Sequence, residues 1–509
     1  YRLDPHLPQS AEREADAWVR SPGIDDPSLT DLTHLALVTI DEQTSKDLDQ
    51  AVFIEASEEG YTVWYAIADA SHFVRPGMAL WEEAVRRGST CYLPGLVVPM
   101  LPRSLSEDLI SLNPGVVRRA LVFEHCLDAE GRCLTTRVHR ARVRSRCKTW
   151  FDAVQSFLDG GPCPSDDPAV APSLRLLQQV GTLRIRLAEE RSMASYRRRP
   201  LEIELPDRGA RYFVALTGLR NEVERYNEQI SILCNVEGAK MLRDAHDSGV
   251  VQPIFRVHDA PPESAVERFQ RQLEAFASAH QLDPARWVWT PEQPLATWLE
   301  ELPHDGREGQ LARAVHRMAL HTNTRSTFQV EPARHHGVGA EVYSRFTAPM
   351  REVVGIYVHK ELCEALGFTS PRPRREDEAT VERIIDISHR ARSRQASLDR
   401  DMNRVVLDQL FHRELLRPEA KRAVHKGLVL GVTKDKVRVQ LDDAPLDLKI
   451  YVQHLQVQLG SELTVDDDEV ALRDASGQVA VAIGDTVAVR VLGLDTERDR
   501  YNLHVERLT

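Results

Sequence analysis

Thr39-Ile40-Asp41-Glu42-Gln43-Thr44-Ser45-Lys46-Asp47-Leu48-Asp49-Gln50 leaves one β-type run and enters the next within a few residues. Asp47 and Asp49 stand at i and i+2, so in an extended segment both carboxylates point one way and Leu48 the other. Asp41, at the end of the preceding run, can close on that pair. Three gathered carboxylates repel one another, and their convergence makes physical sense when divalent cations neutralise them. Hard oxygen ligands suit Mg²⁺ or Mn²⁺, and Mg²⁺ held by a few carboxylates keeps open positions for substrate phosphates. The chemistry indicated is in-line phosphodiester hydrolysis, in which one ion lowers the pKa of the attacking water and a second stabilises the leaving 3′-oxygen. On spacing alone a solvated acidic loop stands beside this reading. An EF-hand fits poorly, because the central Gly and terminal Glu are missing.

Outward from this loop, short β-type runs occupy 35–40, 51–56, 61–68, 119–128 and 134–146, with Gly60 and Glu130-Gly131 where hairpin turns are needed. Helical periodicity follows at about 79–87, 148–159, 172–191, 222–247, 262–280, 308–321, 350–366 and 378–412. Strands first and helices afterwards predict an α+β class. After Pro418 the pattern returns to strands at 426–432, 436–441, 446–452, 478–482, 486–492 and 501–505, the size of an OB-type barrel. The expected division is a lead-in segment at 1–35, a catalytic domain with its helices at 36–416, and an OB-fold domain at 417–509.

The chain of 509 residues is 42% hydrophobic and 28% charged, a folded composition of roughly three domains. Its net charge of −12 repels a polyanion unless basic residues gather on one surface. Seven cysteines without a Cys-x-x-Cys pair suggest a reducing compartment and no zinc ribbon. With no long uncharged apolar run and a charged start, the expectation is a cytoplasmic protein without a membrane span.

The Thr39 to Asp49 stretch resembles the signature of the ribonuclease II / ribonuclease R family of 3′ to 5′ exoribonucleases. The match continues through Ile67-Ala68-Asp69-Ala70-Ser71-His72-Phe73-Val74-Arg75-Pro76-Gly77, Arg87-Gly88-Ser89-Thr90-Cys91-Tyr92-Leu93-Pro94 and Leu105-Ser106-Glu107-Asp108-Leu109-Ile110-Ser111-Leu112-Asn113-Pro114-Gly115. Weaker blocks follow at Leu201 to Pro206, at Phe255-Arg256-Val257-His258-Asp259 and at Tyr343-Ser344-Arg345-Phe346-Thr347-Ala348-Pro349-Met350-Arg351. The resemblance covers about residues 36–370. It implies an RNB-type catalytic domain, a β-sheet core surrounded by helices, that degrades single-stranded RNA processively with Mg²⁺, or Mn²⁺ in its place. Nucleoside 5′-monophosphates are the implied products.

By the resemblance, Asp41, Asp47 and Asp49 correspond to the metal-binding and catalytic aspartates. Gln50 departs from it, since a fourth aspartate is usual there; a Gln oxygen can ligate a metal but brings no charge. Tyr92 corresponds to the aromatic that stacks on the 3′-terminal base, and Arg351 to the arginine facing the active-site phosphate. No aromatic follows Val257-His258, so His258 is a substitute candidate for the second wall of the base clamp. Ala348, Glu352 and Val353 depart from the usual surroundings of the arginine.

Arg140, Arg142, Arg144 and Arg146 alternate along one strand face and either track phosphates or face solvent. Tyr196-Arg197-Arg198-Arg199 is a second basic cluster. Glu228 and Asn235, two turns apart on one helix, are supporting polar groups or ordinary helix-surface residues. His335-His336 carries little metal-site signal, because adjacent histidines point to different sides.

Residues from about 424 to 507 resemble the OB-fold RNA-binding domain repeated in the largest small-subunit ribosomal protein, through Lys426-Gly427-Leu428-Val429 and Ile483-Gly484-Asp485-Thr486-Val487. Tyr451 is its clearest stacking candidate. The family usually places two cold-shock-type barrels before the catalytic domain, and the residues ahead of position 36 leave no room for them here. The expected partner is single-stranded RNA, with no nucleotide cofactor and a monomeric chain. Two further readings remain at this stage: a weakened or non-catalytic RNA binder that lost the fourth carboxylate at Gln50, and an endonuclease.

Overall fold

The computed structural model describes residues 3–191, 201–204, 213–217, 221–442 and 446–508. The runs flanking the carboxylate loop build a seven-stranded sheet in the order Thr30–Asp31, Cys133–Arg144, Val117–Asp128, Gly60–Ala68, Gln50–Ala56, Val38–Asp41, Cys147–Trp150. Neighbours are antiparallel except at the two edges, where Thr30–Asp31 and Cys147–Trp150 run parallel to their partners. The predicted hairpin between the two long strands turns through Gly131, whose φ of +82° is open to glycine at little steric cost. Both faces of the central strand are covered: Val63, Tyr65, Ala66, Ile67 and Ala68 are all 0% exposed.

Helix Val170–Glu190 lies on this sheet, where Ser173 Oγ accepts the Ile54 N–H at 2.9 Å. Helix Glu222–Asp247 packs beside it, opened by Asn221 in a reciprocal capping box with Glu224. Gly238 on that helix has a specific use: a Cβ there would stand 2.5 Å from Phe346 Cε2. Its absence lets the 343–351 segment lie directly on the helix, with Phe346 fully buried against Phe123. Burial of an aromatic this size is worth roughly 1.5–3 kcal/mol.

The lead-in segment contributes a helix, Gln9–Arg20. Glu14 accepts the Ala79 and Leu80 N–H groups at 2.9 and 2.8 Å, closing the open start of helix Ala79–Arg87. The helix Val353–Ala365 and the 42-residue helix Arg374–Leu415 follow the Arg351 segment.

After Pro418, a five-stranded antiparallel sheet (Asp447–Tyr451, Lys436–Leu441, His425–Val432, Thr486–Asp495, Arg500–Arg507) and a three-stranded sheet (Leu463–Val465, Ala471–Asp474, Val479–Ala482) form the OB-type unit. Their core is continuous with Phe269 and Phe276 of helix Glu263–Ala279, Leu311 of helix Gly306–Thr322 and Phe411 of the long helix.

Two stretches differ from the periodicity. The expected helix at 148–159 begins as a strand, because Cys147–Trp150 finds a parallel partner in Val38–Asp41. The expected strand at 446–452 ends at Tyr451, and Val452–Leu459 is helical, burying Val452 and Leu455 at i and i+3.

Candidate active site

The carboxylate loop is held in shape by Ser111. Its hydroxyl donates to Lys46 O at 2.8 Å and accepts the Leu48 N–H at 3.0 Å, while Leu48 O accepts from Leu112 N at 3.0 Å. Leu48 is thereby turned into the core at 1% exposure, and Asp47 and Asp49 flank it. Asp41 ends its strand and accepts from Glu42 N at 2.7 Å and Ser45 Oγ at 3.1 Å.

A segment distant in sequence closes on this loop. Asp49 Oδ1 accepts the Met350 N–H at 3.0 Å, and Oδ2 lies 2.7 Å from Arg351 Nε. Arg351 remains 36% exposed at its side chain, so the guanidinium bridges the buried carboxylate and the solvent side. The carbonyl of Arg351 accepts the Thr90 N–H at 2.9 Å, which docks the short strand Cys91–Leu93, carrying Tyr92, against the same segment. Tyr92 is 42% exposed, and its hydroxyl stands 3.4 Å from Asp47 Oδ2. Asp47, Asp49, Arg351 and Tyr92 are therefore brought together.

Burial pushes the Asp49 carboxyl up to about 6, against the pull of Arg351. Burial likewise raises Asp47, and Asp41 adds repulsion. Asp49 holds the Arg351 guanidinium above its ordinary range. The carboxylates thus receive less positive charge from the chain than their ionised forms need, which fits a divalent cation held by Asp41, Asp47 and Asp49. As they stand, these three do not each bring an oxygen within 4.8 Å of the other two. The carboxylates whose oxygens lie within 4.8 Å of one another are Glu361, Glu364 and Asp377. Lys360 Nζ sits among these at 2.5, 3.0 and 3.1 Å, so that cluster carries its own cation.

A cavity of about 430 Å³ opens beside the loop, lined among others by Asp41, Gln50, Arg256, His335, Arg345 and Arg351. Glu228 is on its exposed rim. Asn235 is fully buried, donating to Tyr343 Oη at 3.0 Å and Thr347 Oγ1 at 3.1 Å and accepting the Phe346 N–H at 2.7 Å. Gln50 is also committed: its Nε2 donates to Thr347 O, and its Oε1 accepts from the Tyr65 hydroxyl.

The remaining candidates lie elsewhere or are already engaged. His258 Nδ1 accepts the Gly337 N–H at 2.9 Å, so Nε2 carries the proton and donates to Thr324 O at 2.9 Å. Arg140 pairs with Asp69 at 3.1 Å and Arg142 with Asp31 at 3.0 Å, while Arg144 is half-buried on the same strand. Arg146 donates to His34 O at 2.9 Å. Tyr451 lies on the OB-type unit with the Arg500 guanidinium 4.0 Å above its ring. Tyr196 and Arg197 to Arg199 lie outside the described residues.

Sequence reasoning missed Gln395 and Tyr65. Gln395, on the long helix, accepts the Tyr92 N–H at 3.1 Å and donates to Tyr92 O at 2.9 Å, pairing with that strand as a neighbouring strand would. No local signal marks it. Glu352, noted in the sequence only as a departure from the usual surroundings of Arg351, pairs with Arg345 at 3.2 Å.

Residues 29–367 match the RNB domain family model. The ribonuclease R of Mycoplasma genitalium is 24% identical over 91% of this chain and 62% of its own length. The exoribonuclease 2 of Cronobacter sakazakii is 30% identical over 85% of this chain and 64% of its own length. The chain thus spans less than two thirds of these curated relatives. The structure of M. genitalium RNase R in complex with ribose methylated single-stranded RNA superposes with a TM-score of 0.84 at 22% identity, covering 98% of this chain and 76% of that one.

Proposed function

The chain belongs to the RNB domain family, and from that premise we propose that it hydrolyses single-stranded RNA processively from the 3′ end, releasing nucleoside 5′-monophosphates. The observation that carries this reading is the gathering of Asp47, Asp49 and Tyr92 around Arg351, which lines the cavity together with Asp41. Asp41, Asp47 and Asp49 would hold Mg²⁺, for which Mn²⁺ would substitute. Bound there, the ion would supply Lewis acidity for activating water and for stabilising charge on the scissile phosphate. Arg351 meets the charge that develops on the phosphate oxygens, and Asp49 holds its guanidinium in place. Tyr92, anchored by Gln395, stacks on the terminal base without reading its identity. Water attacks phosphorus, the bond to the 3′-oxygen of the preceding nucleotide breaks, and that oxygen leaves with a proton as the new 3′-hydroxyl.

In this reading residues 36–416 form the catalytic part and 417–509 an OB-type wall along which RNA approaches, in a monomeric cytoplasmic protein. Names of the curated relatives support the exonucleolytic class. Uniformly labelled RNA tests it: 5′-mononucleotides from the earliest times are expected, and internal fragments would replace the reading with an endonuclease. A second reading, an RNA binder with weakened hydrolysis, is favoured by the engaged amide of Gln50, which leaves three carboxylates at the site. It predicts RNA retention with no metal-dependent products.

A further inference from the structure

Asp49 and Gln50 are consecutive, and both reach the same distant segment. Asp49 holds Met350 and Arg351, while Gln50 holds the carbonyl of Thr347. Thr347 is gripped from the other side by helix Glu222–Asp247, where Ser231 Oγ donates to its hydroxyl at 2.9 Å and Asn235 Nδ2 at 3.1 Å. The peptide from Thr347 to Arg351 is thus suspended between two adjacent residues, where the carboxylate loop enters strand Gln50–Ala56, and two residues of one helix.

We propose that Gln50 is a positioning residue that fixes the Arg351 segment through Thr347, and that it is not a metal ligand. A carbonyl oxygen only accepts, so the group facing Thr347 O must be the amide NH₂. That assignment turns Oε1 to the Tyr65 hydroxyl, which donates to it. Tyr65 is fully buried, so swinging the amide toward a metal breaks both bonds at a desolvated hydroxyl and a backbone carbonyl. An aspartate here is one methylene shorter and would have no N–H to offer the Thr347 carbonyl. The glutamine is therefore matched to Thr347, whose carbonyl needs a donor at this position. The consequence for turnover rests on the catalytic reading of Arg351, whereas the structural part is measurable without RNA.

The test uses the full metal-free chain with Gln50→Met, which keeps side-chain length and removes both bonds. Titration calorimetry with Mn²⁺ is expected to give an affinity within about threefold of the native protein. Exchange of the Phe346 and Met350 amides is expected to accelerate about 10-fold, the scale of one or two lost hydrogen bonds. On single-stranded RNA, kcat is expected to fall about 10- to 100-fold with KM within about threefold, the signature of a misplaced transition-state contact. Tyr65→Phe removes one of the two bonds and is expected to shift exchange in the same direction by a smaller factor, so it carries the test if Gln50→Met fails to fold. Mn²⁺ affinity weakened tenfold or more, with exchange at Phe346 and Met350 unchanged, would overturn the proposal and make Gln50 a ligand. Calorimetry and exchange decide this even if the native chain leaves RNA intact, so the two readings fail separately.

Discussion

Asp49 and Arg351, 302 positions apart, form a 2.7 Å contact in which the carboxylate is 1% exposed and the guanidinium 36%. The pair places the positive fork at the edge of the cavity while its partner stays dry. Arg351→Ala leaves Asp49 buried without its charged donor, an expected loss of about 1.5–3 kcal/mol in chemical denaturation. Because a divalent cation neutralises the same carboxylate, Mg²⁺ is expected to raise the Tm of Arg351→Ala more than that of the native chain. Arg351→Lys keeps the charge but not the planar fork, and kcat is expected to fall about 10²- to 10³-fold in steady-state assays on RNA.

The Tyr92 strand is held by the amide of Gln395. Gln395→Leu removes both bonds from an exposed edge, so KM for short oligonucleotides is expected to rise several-fold with kcat nearly unchanged. Tyr92→Ala is expected to weaken binding by about 1–3 kcal/mol, the worth of one stacked base, whereas Tyr92→Phe retains it. Equal loss in Phe and Ala variants would assign the work to the hydroxyl beside Asp47.

Burial lowers His125 and His72 to about 3 and His359 to about 4. Their folded pKa values lie below the unfolded value of about 6.5, so the stability they contribute is complete above that pH and is lost as pH falls toward 3 to 4. Each contributes up to about 1.4 kcal/mol per pH unit across that window. Urea unfolding at pH 7.5, 6 and 5 is expected to show a shallower acid slope for His125→Gln, whose native side chain is fully buried beside Thr136 Oγ1 at 2.8 Å.

Lys360 joins Glu361 and Glu364 on one helix to Asp377 on the next. Lys360→Met leaves three buried carboxylates facing one another and is expected to cost about 3–5 kcal/mol. The denaturant midpoint should fall with an unchanged m-value, and activity per folded molecule should be retained.

Much of this was legible in the residues. Alternation gave the strands around the carboxylate loop, and the i, i+2 spacing of Asp47 and Asp49 about Leu48 anticipated which side chain enters the core. The Tyr343 to Arg351 block marked the segment that closes the site. Sequence could not show that Gln395 pairs with a backbone 303 positions away, or that Gln50 turns to Thr347. Such contacts depend on how two distant elements meet, and neither end carries a local period or spacing. The strand at Cys147–Trp150 escaped for the same reason, its conformation being set by a parallel partner. The arginines of Cys133–Arg144 read as a basic face, yet Arg140 and Arg142 are ion-paired with Asp69 and Asp31 of this same chain.

The most direct measurement is a time course on a 5′-labelled single-stranded RNA with Mg²⁺, Mn²⁺ or EDTA, run beside Asp49→Asn. Asparagine retains an acceptor for the Met350 N–H but loses the charge that holds Arg351 and a cation. Conversion of full-length RNA to a short 5′-terminal end product with few intermediates, abolished by EDTA and by the substitution, is the expected result. Intact RNA under every metal, with binding retained in a gel shift, would contradict a hydrolytic site at Asp49 and leave an RNA-binding member of the family.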